Sequence, residues 1–426
     1  MKIHLLKTYA LASVMFVNFF TKAQTWSPIF VPGTVTGTTT IGNSSLDDYD
    51  FGDDNNGMVS VGYAYHITTD GGATWSHWKD FSPYPQMKGI DYTSPSTVFT
   101  GCGNGRIYKS TDNGNTFMEK GYPAGNINAI EFNNNFGVVV DQTCKAGYSN
   151  DGGETWTAIS HTVLCNNLSA MRYISVPDQN TAYIGGSNNN LFKTTNGGAT
   201  WSSIITGFSG NYTGISFLNA SLGYVTVYAS GSPNTAKLFK TTDGGSTWTD
   251  LTANVAAAGS STTSTFGGVI AIDNNILYLG TNSGRLLVSF DGGVTFNLDF
   301  TNPACSSCVF TKFKKAGNYI YMGVGNGGSH PKVYRKLNTA ISVKELEVPT
   351  MHFSAAPNPA NESIQIQGVD FNTGIHIKII SLEGKVLKDE TTQQSIVNIS
   401  DLSTGMYFIE LTDATGKTGT KKIIKE

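Results

Sequence analysis

Charge, arginine and long apolar runs are what this chain of 426 residues has least of. Only 14% of it is Asp, Glu, Lys or Arg, with a formal net charge of -3, so no broad basic field exists to attract nucleic acid or anionic lipid. Arginine occurs four times, at Arg106, Arg172, Arg285 and Arg335. The longest apolar stretch, Ala10 to Phe20, has about half of the ~20 residues a membrane helix needs. It follows Lys2, His4 and Lys7 and precedes Thr21-Lys22-Ala23-Gln24, an order that predicts a signal peptide over 1–23, cleavage after Ala23 and a mature chain without a transmembrane helix. There are five cysteines, Cys102, Cys144, Cys165, Cys305 and Cys308, and an odd number leaves at least one thiol unpaired. Cys305-Ser-Ser-Cys308 lacks a second pair or a nearby histidine, so it reads as a structural bridge or two idle thiols. Cys144 and Cys165 are candidates for another bridge. No Ser-x-x-Lys, Gly-x-Ser-x-Gly, His-Glu-x-x-His or phosphate-cradling loop is present, and no cofactor or metal is expected.

What the chain has in quantity is glycine and aromatic rings, with Gly 48, Tyr 19 and Phe 23, the texture of short strands joined by tight turns. One octapeptide recurs six times, at Thr68–Trp75, Ser110–Phe117, Ser149–Trp156, Thr194–Trp201, Thr241–Trp248 and Ser289–Phe296. All six fit Ser/Thr-x-Asp/Asn-x-Gly-x-Thr-Trp/Phe. The third position falls at Asp70, Asp112, Asp151, Asn196, Asp243 and Asp291, giving spacings by subtraction of 42, 39, 45, 47 and 48, the period of propeller blades. A structural role accounts for each box: the Asp or Asn side chain accepts N–H bonds within its own turn, glycine supplies positive φ, and the closing aromatic packs between blades.

Three strands fit between successive boxes, for example Gly89–Tyr92, Val98–Gly101 and Arg106–Ser110, and the box turns into a fourth. Gln24-Thr25-Trp26-Ser27 reads as the tail of a box without its head, while Val309–Lys314, Tyr319–Gly323 and Lys332–Leu337 are three strands with no box after them. Pairing these ends predicts an all-β, seven-bladed β-propeller over 24–338, closed by the N-terminal strand and without an exposed sheet edge at the junction. The boxes resemble the Asp-box of BNR-type propellers, a group that includes sialidases, sortilin-like receptors and two-propeller xyloglucanases. Asp50-Phe51-Gly52-Asp53-Asp54-Asn55-Asn56-Gly57, followed by Val59-Ser60-Val61-Gly62 and a box, is similar to photosystem II assembly-factor propellers. The resemblance implies a fold and leaves function open, because the box occurs in enzymes and binders alike.

Beyond a linker over 339–350 the texture changes. Ser363–Gln367, His376–Ser381, Val386–Asp389, Ser395–Ile399, Met406–Thr412 and Gly419–Ile424 read as a small Ig-like β-sandwich over 351–426. Pro357-Asn358-Pro359-Ala360, Leu382-Glu383-Gly384-Lys385-Val386, Leu402-Ser403-Thr404-Gly405-Met406-Tyr407 and Lys421-Lys422-Ile423-Ile424-Lys425 resemble the type A sorting domain of type IX secretion. That resemblance implies recognition by the outer-membrane translocon, removal of the domain, and a propeller secreted or attached to the outer surface of a Gram-negative cell.

A sialidase needs three arginines around the substrate carboxylate, but none stands in a Tyr/Phe-Arg-Ile-Pro motif ahead of the first box. A glycosidase needs two facing carboxyls; Asp47, Asp48, Asp80, Asp91, Asp141 and Asp299 are candidates that sequence cannot pair. Asp47 to Asn56 lacks the ligand alternation of a calcium-binding EF-hand loop and reads as a solvated loop. The reading adopted is a non-catalytic module binding an extracellular protein or glycan through Tyr84, Tyr122, Asn166, Asn167 and Tyr212 in the mouth loops, with a glycoside hydrolase as the alternative.

Overall fold

The computed structural model describes residues 25–31, 46–76, 79–80, 86–121, 125–159, 170–204, 206–229, 235–262, 265–281, 284–305, 307–325, 332–338, 351, 353–381, 385–414 and 417–426. The expected signal peptide and linker lie outside them. The chain divides into two compact units, Met1–Ala340 and Ile341–Glu426.

The larger unit is built of seven four-stranded antiparallel sheets. Their first strands are Leu46–Phe51, Met87–Tyr92, Ile127–Asn133, Met171–Ser175, Asn211–Phe217, Val269–Ala271 and Phe310–Ala316. Each touches the next, and the seventh touches the first, so these strands form the inner wall of a closed ring of blades. Blade seven takes its outer strand, Ser27–Phe30, from the start of the chain, where Ser27 pairs with Arg335 and Phe30 with Val333. Trp26 Nε1 donates to Asp299 of blade six at 2.6 Å, and Trp75 Nε1 of blade one donates to the Ile29 carbonyl at 2.6 Å. The closing strand is thereby tied to both neighbouring blades.

Each box is a self-contained hydrogen-bonded turn. In the third, Ser149 Oγ donates to Asp151 Oδ1 at 2.8 Å and accepts from Gly153 N at 2.9 Å. Asp151 Oδ1 accepts from Thr155 N at 2.9 Å and Oδ2 from Thr155 Oγ1 at 2.6 Å. The fifth residue of every box is a glycine with φ between 77° and 95°, a backbone region that a Cβ disfavours. In the fourth box, Asn196 keeps the same pattern, its Nδ2 donating to Thr200 Oγ1 at 2.8 Å. Between blades, inner-strand rings stack on the second strand of the blade before: Phe51 on Tyr321 at 4.0 Å and Phe132 on Phe99 at 4.4 Å, with Phe217 on Tyr183 likewise.

The smaller unit packs a three-stranded sheet, Ser354–Ala356, Ser363–Gln367 and Ile396–Asn398, against a four-stranded one. The latter is ordered Val386–Thr392, Ile375–Ser381, Gly405–Thr412, Thr418–Lys425. Strict alternation fills the core between them, with Ile375, Ile377, Ile379, Tyr407, Ile409 and Leu411 side by side on the four-stranded sheet and Ile364, Ile366 and Val397 from the other. The free edge of the last strand is covered by Asn358, whose Nδ2 donates to the Lys422 carbonyl and whose Oδ1 accepts from Ile424 N, both at 2.8 Å.

Candidate functional site

The inner strands enclose a channel of about 420 Å³. Six of these strands carry the same irregularity, a register shift at Asp47, Lys88, Asn128, Arg172, Thr213 and Thr311. A bulge of one extra residue bends a strand and re-aims its side chains, and here the bulge residues Asn128, Arg172 and Thr311 are themselves part of the channel lining.

Beyond the bulges, one position per blade forms a ring: Asp50, Asp91, Glu131, Ser175, Ser216, Ile270 and Lys314. The first five each accept a backbone N–H from the next blade. Asp50 Oδ2 takes Tyr92 N at 2.7 Å, Asp91 Oδ2 takes Phe132 N at 3.0 Å, and Glu131 Oε1 takes Val176 N at 2.9 Å. Ser175 and Ser216 Oγ take Phe217 N and Ala271 N, both at 3.0 Å. Ile270 has no polar atom to offer. In the seventh place Lys314 reaches back across the channel to Asp91 at 3.2 Å and Asp50 at 3.8 Å. Two residues earlier, Lys312 pairs with Asp48 at 2.8 Å, and Asp48 Oδ2 accepts from Ile90 N at 2.8 Å.

Burial pushes the carboxyls of Asp50 and Glu131 above their ordinary pKa, and that of Asp91 well above it, although Lys314 pulls each the other way. Desolvation opposes the Lys314 ammonium, yet the surrounding Asp50, Asp91, Asp48 and Glu131 raise its pKa beyond the usual lysine range. The channel wall therefore sets the Lys314 ammonium among carboxyls whose charged forms burial disfavours.

Of the six carboxylates singled out in the sequence, only Asp48 and Asp91 line this channel. Asp47 pairs with Lys88 at 2.8 Å. Asp141 accepts from Thr143 and Lys145 N–H groups within its own turn and from Gly125 N ahead of the inner strand of blade three. Asp299 is held by Trp26 and Lys336. The Asp80 side chain lies outside the described residues, as do Tyr84, Tyr122, Asn166 and Asn167. Tyr212 is described and is 2% exposed; it packs with Phe208 in the blade interior, so its ring does not face a mouth. Asp50 and Glu131 escaped the sequence reading, though a signal existed: the ring residues stand 20, 21, 20, 21 and 27 positions before their boxes (70−50, 112−91, 151−131, 196−175, 243−216).

Arg172 alone among the four arginines lines the channel. Arg106 pairs with Glu119 at 2.6 Å, Arg285 donates to the Gly259 carbonyl, and Arg335 donates to the Gly71 carbonyl over the Tyr319 ring. No three-arginine carboxylate clamp is assembled. Among the described residues no group of three or more His, Cys, Asp or Glu is placed to hold a metal, and no helix is long and apolar enough to cross a membrane. Of the Asp47 to Asn56 segment, expected as a solvated loop, the part up to Phe51 belongs to the largely buried inner strand of blade one; beyond it Asp53 accepts from Asn55 and Asn56 N–H groups, and Asp54 holds Asn318 of blade seven. Cys305 and Cys308 are bridged, Cys144 is also disulfide-bonded, and Cys102 is a buried free thiol pushed up to about 12 by burial.

Residues 354–426 match the family model of the secretion system C-terminal sorting domain, and residues 144–281 match that of sortilin, neurotensin receptor 3. No curated protein matches the chain. Among solved structures, YCF48 bound to D1 peptide is 17% identical with a TM-score of 0.56, covering 73% of this chain and 94% of its own. YCF48 from Cyanidioschyzon merolae is 16% identical with a TM-score of 0.54, covering 74% and 99%. The RRP9 WD40 repeats, 9% identical with a TM-score of 0.55, cover 69% and 94%. At such identities these likenesses concern the fold. The chain is thus a seven-bladed propeller joined to a type IX secretion sorting domain, exported to the cell surface or beyond it.

Proposed function

We propose that the propeller, over residues 24–338, is a non-catalytic module that binds an extracellular protein or glycan, and that the domain over 351–426 serves only its delivery. One observation carries this reading: Asp48, Asp50, Asp91 and Glu131, the carboxylates of the channel wall, each spend an oxygen on a backbone N–H of the neighbouring blade. A carboxylate that stitches the wall together is poorly placed to move during a reaction. A propeller of the same fold, YCF48, is seen with a D1 peptide bound, so a peptide is a ligand this architecture accommodates. The full chain, applied to glycan and peptide arrays with reducing-sugar release measured on every glycan hit, should bind without release.

The second reading is a glycoside hydrolase. It is supported by the raised pKa values of Asp50, Asp91 and Glu131, since a general acid must stay protonated near neutrality. Sugar release that vanishes in Asp91→Asn while binding persists would establish it and overturn the first.

A further inference from the structure

The Cys305–Cys308 bridge spans a sequence separation of only three. A bridge closing so short a loop removes little freedom from the unfolded chain, so stability does not explain it. The loop is already anchored by other means. Gly284 N donates to the Cys308 carbonyl and Asn302 N to the Gly284 carbonyl, both at 2.7 Å, and Tyr334 Oη donates to Asn302 Oδ1 at 3.2 Å. The two sulfurs differ in access. Cys305 is half-buried, whereas Cys308 is wholly buried in the cluster with Phe310, Tyr334 and Trp26. The loop lies between the outer strand of blade six and the inner strand that carries Lys312 and Lys314.

We propose that Cys305 and Cys308 form an exchangeable disulfide whose substrate is an extracellular thiol or dithiol. The incoming thiolate attacks Cys305 Sγ; the bond to Cys308 breaks, and Cys308 leaves as a thiolate that takes a proton from solvent. The mixed disulfide on Cys305 has two fates. Cys308, held beside it, re-attacks and expels the thiol, or the second thiol of a dithiol displaces Cys305, so that two electrons pass to the protein and the partner leaves as a disulfide. Access fixes the direction of the first step, because only one sulfur is open to attack.

The test uses the folded full-length chain incubated with graded reduced glutathione, quenched with N-ethylmaleimide and mapped by peptide mass spectrometry, with circular dichroism on the same samples. The bridge at Cys144 is the internal control. Cys305–Cys308 should be half-reduced at a glutathione concentration at least tenfold lower than that bridge requires, with the fold retained and adducts on Cys305. Cys308→Ser, incubated instead with oxidised glutathione, should accumulate one glutathione per chain on Cys305, with one reduced glutathione released for each adduct. Reduction of both bridges only as the chain unfolds, or adducts on Cys308, overturns the proposal, and the wild-type measurement decides whether or not the variant folds.

Discussion

Asp151, in a box turn, and Asp91, on an inner strand, are both carboxylates, yet their surroundings drive them in opposite directions. Thr155 Oγ and N–H bonds hold Asp151 down to about 2, while burial pushes Asp91 well above the ordinary range. The box carboxylates contribute stability that is present above an unfolded pKa near 4 and is lost as pH falls toward 2. The channel carboxyls have the reverse sign: their contribution is greatest below the ordinary carboxylate range and declines as pH rises through their raised pKa values. Facing Asp91 are Lys314, Asp50 and Glu131, with Asp48 nearby. A melting temperature higher at pH 5 than at pH 7.5 is expected, and Asp91→Asn should flatten that difference. Because Asn196 already serves in one box, Asp151→Asn should melt within ~1 °C of the parent, whereas Asp151→Ala loses exposed charge-assisted bonds worth about 1 kcal/mol, or ~2 °C in a unit of this size. The boxes were legible because their chemistry closes within eight residues. The ring at Asp50, Asp91 and Glu131 was not, since each partner is a backbone N–H in the next blade and side-chain identity varies from carboxylate to hydroxyl.

Among elements, the inner strands decide most. Tyr212, read from the sequence as a mouth-loop residue, lies instead inside the inner strand Asn211–Phe217, one residue before the bulge at Thr213 where the register shifts. Alternation alone does not reveal such a shift. Lys314 places the single cation of the ring on the inner strand of blade seven. Lys314→Met would leave buried carboxyls without it, at a cost of about 3–5 kcal/mol, read as a lower denaturation midpoint with an unchanged slope. In the sorting domain, Asn358 gives a physical reason for the Pro-Asn-Pro motif, because its amide imitates a neighbouring strand. Asn358→Asp keeps the acceptor for Ile424 N and sets a second acceptor against the Lys422 carbonyl. That edge should open, and light scattering on the full chain should report self-association that the parent lacks.

At the scale of the molecule, blade count and the pairing of the chain's two ends followed from the period of the boxes and from an orphan tail at Trp26. The channel followed from neither, because it is made by inner strands that carry no motif. Removing residues 24–30 should lower the melting temperature of the propeller far more than any single-box change, since it deletes Trp26, the Ile29 acceptor and one strand together. Ser27 finds its partner Arg335 after 308 intervening steps of chain (335−27). A polypeptide emerging amino end first therefore carries its clasp ahead of it throughout, and the circle is completed only when the last blade arrives, immediately before the delivery signal itself. The completed fold and the signal that dispatches it become available at nearly the same moment.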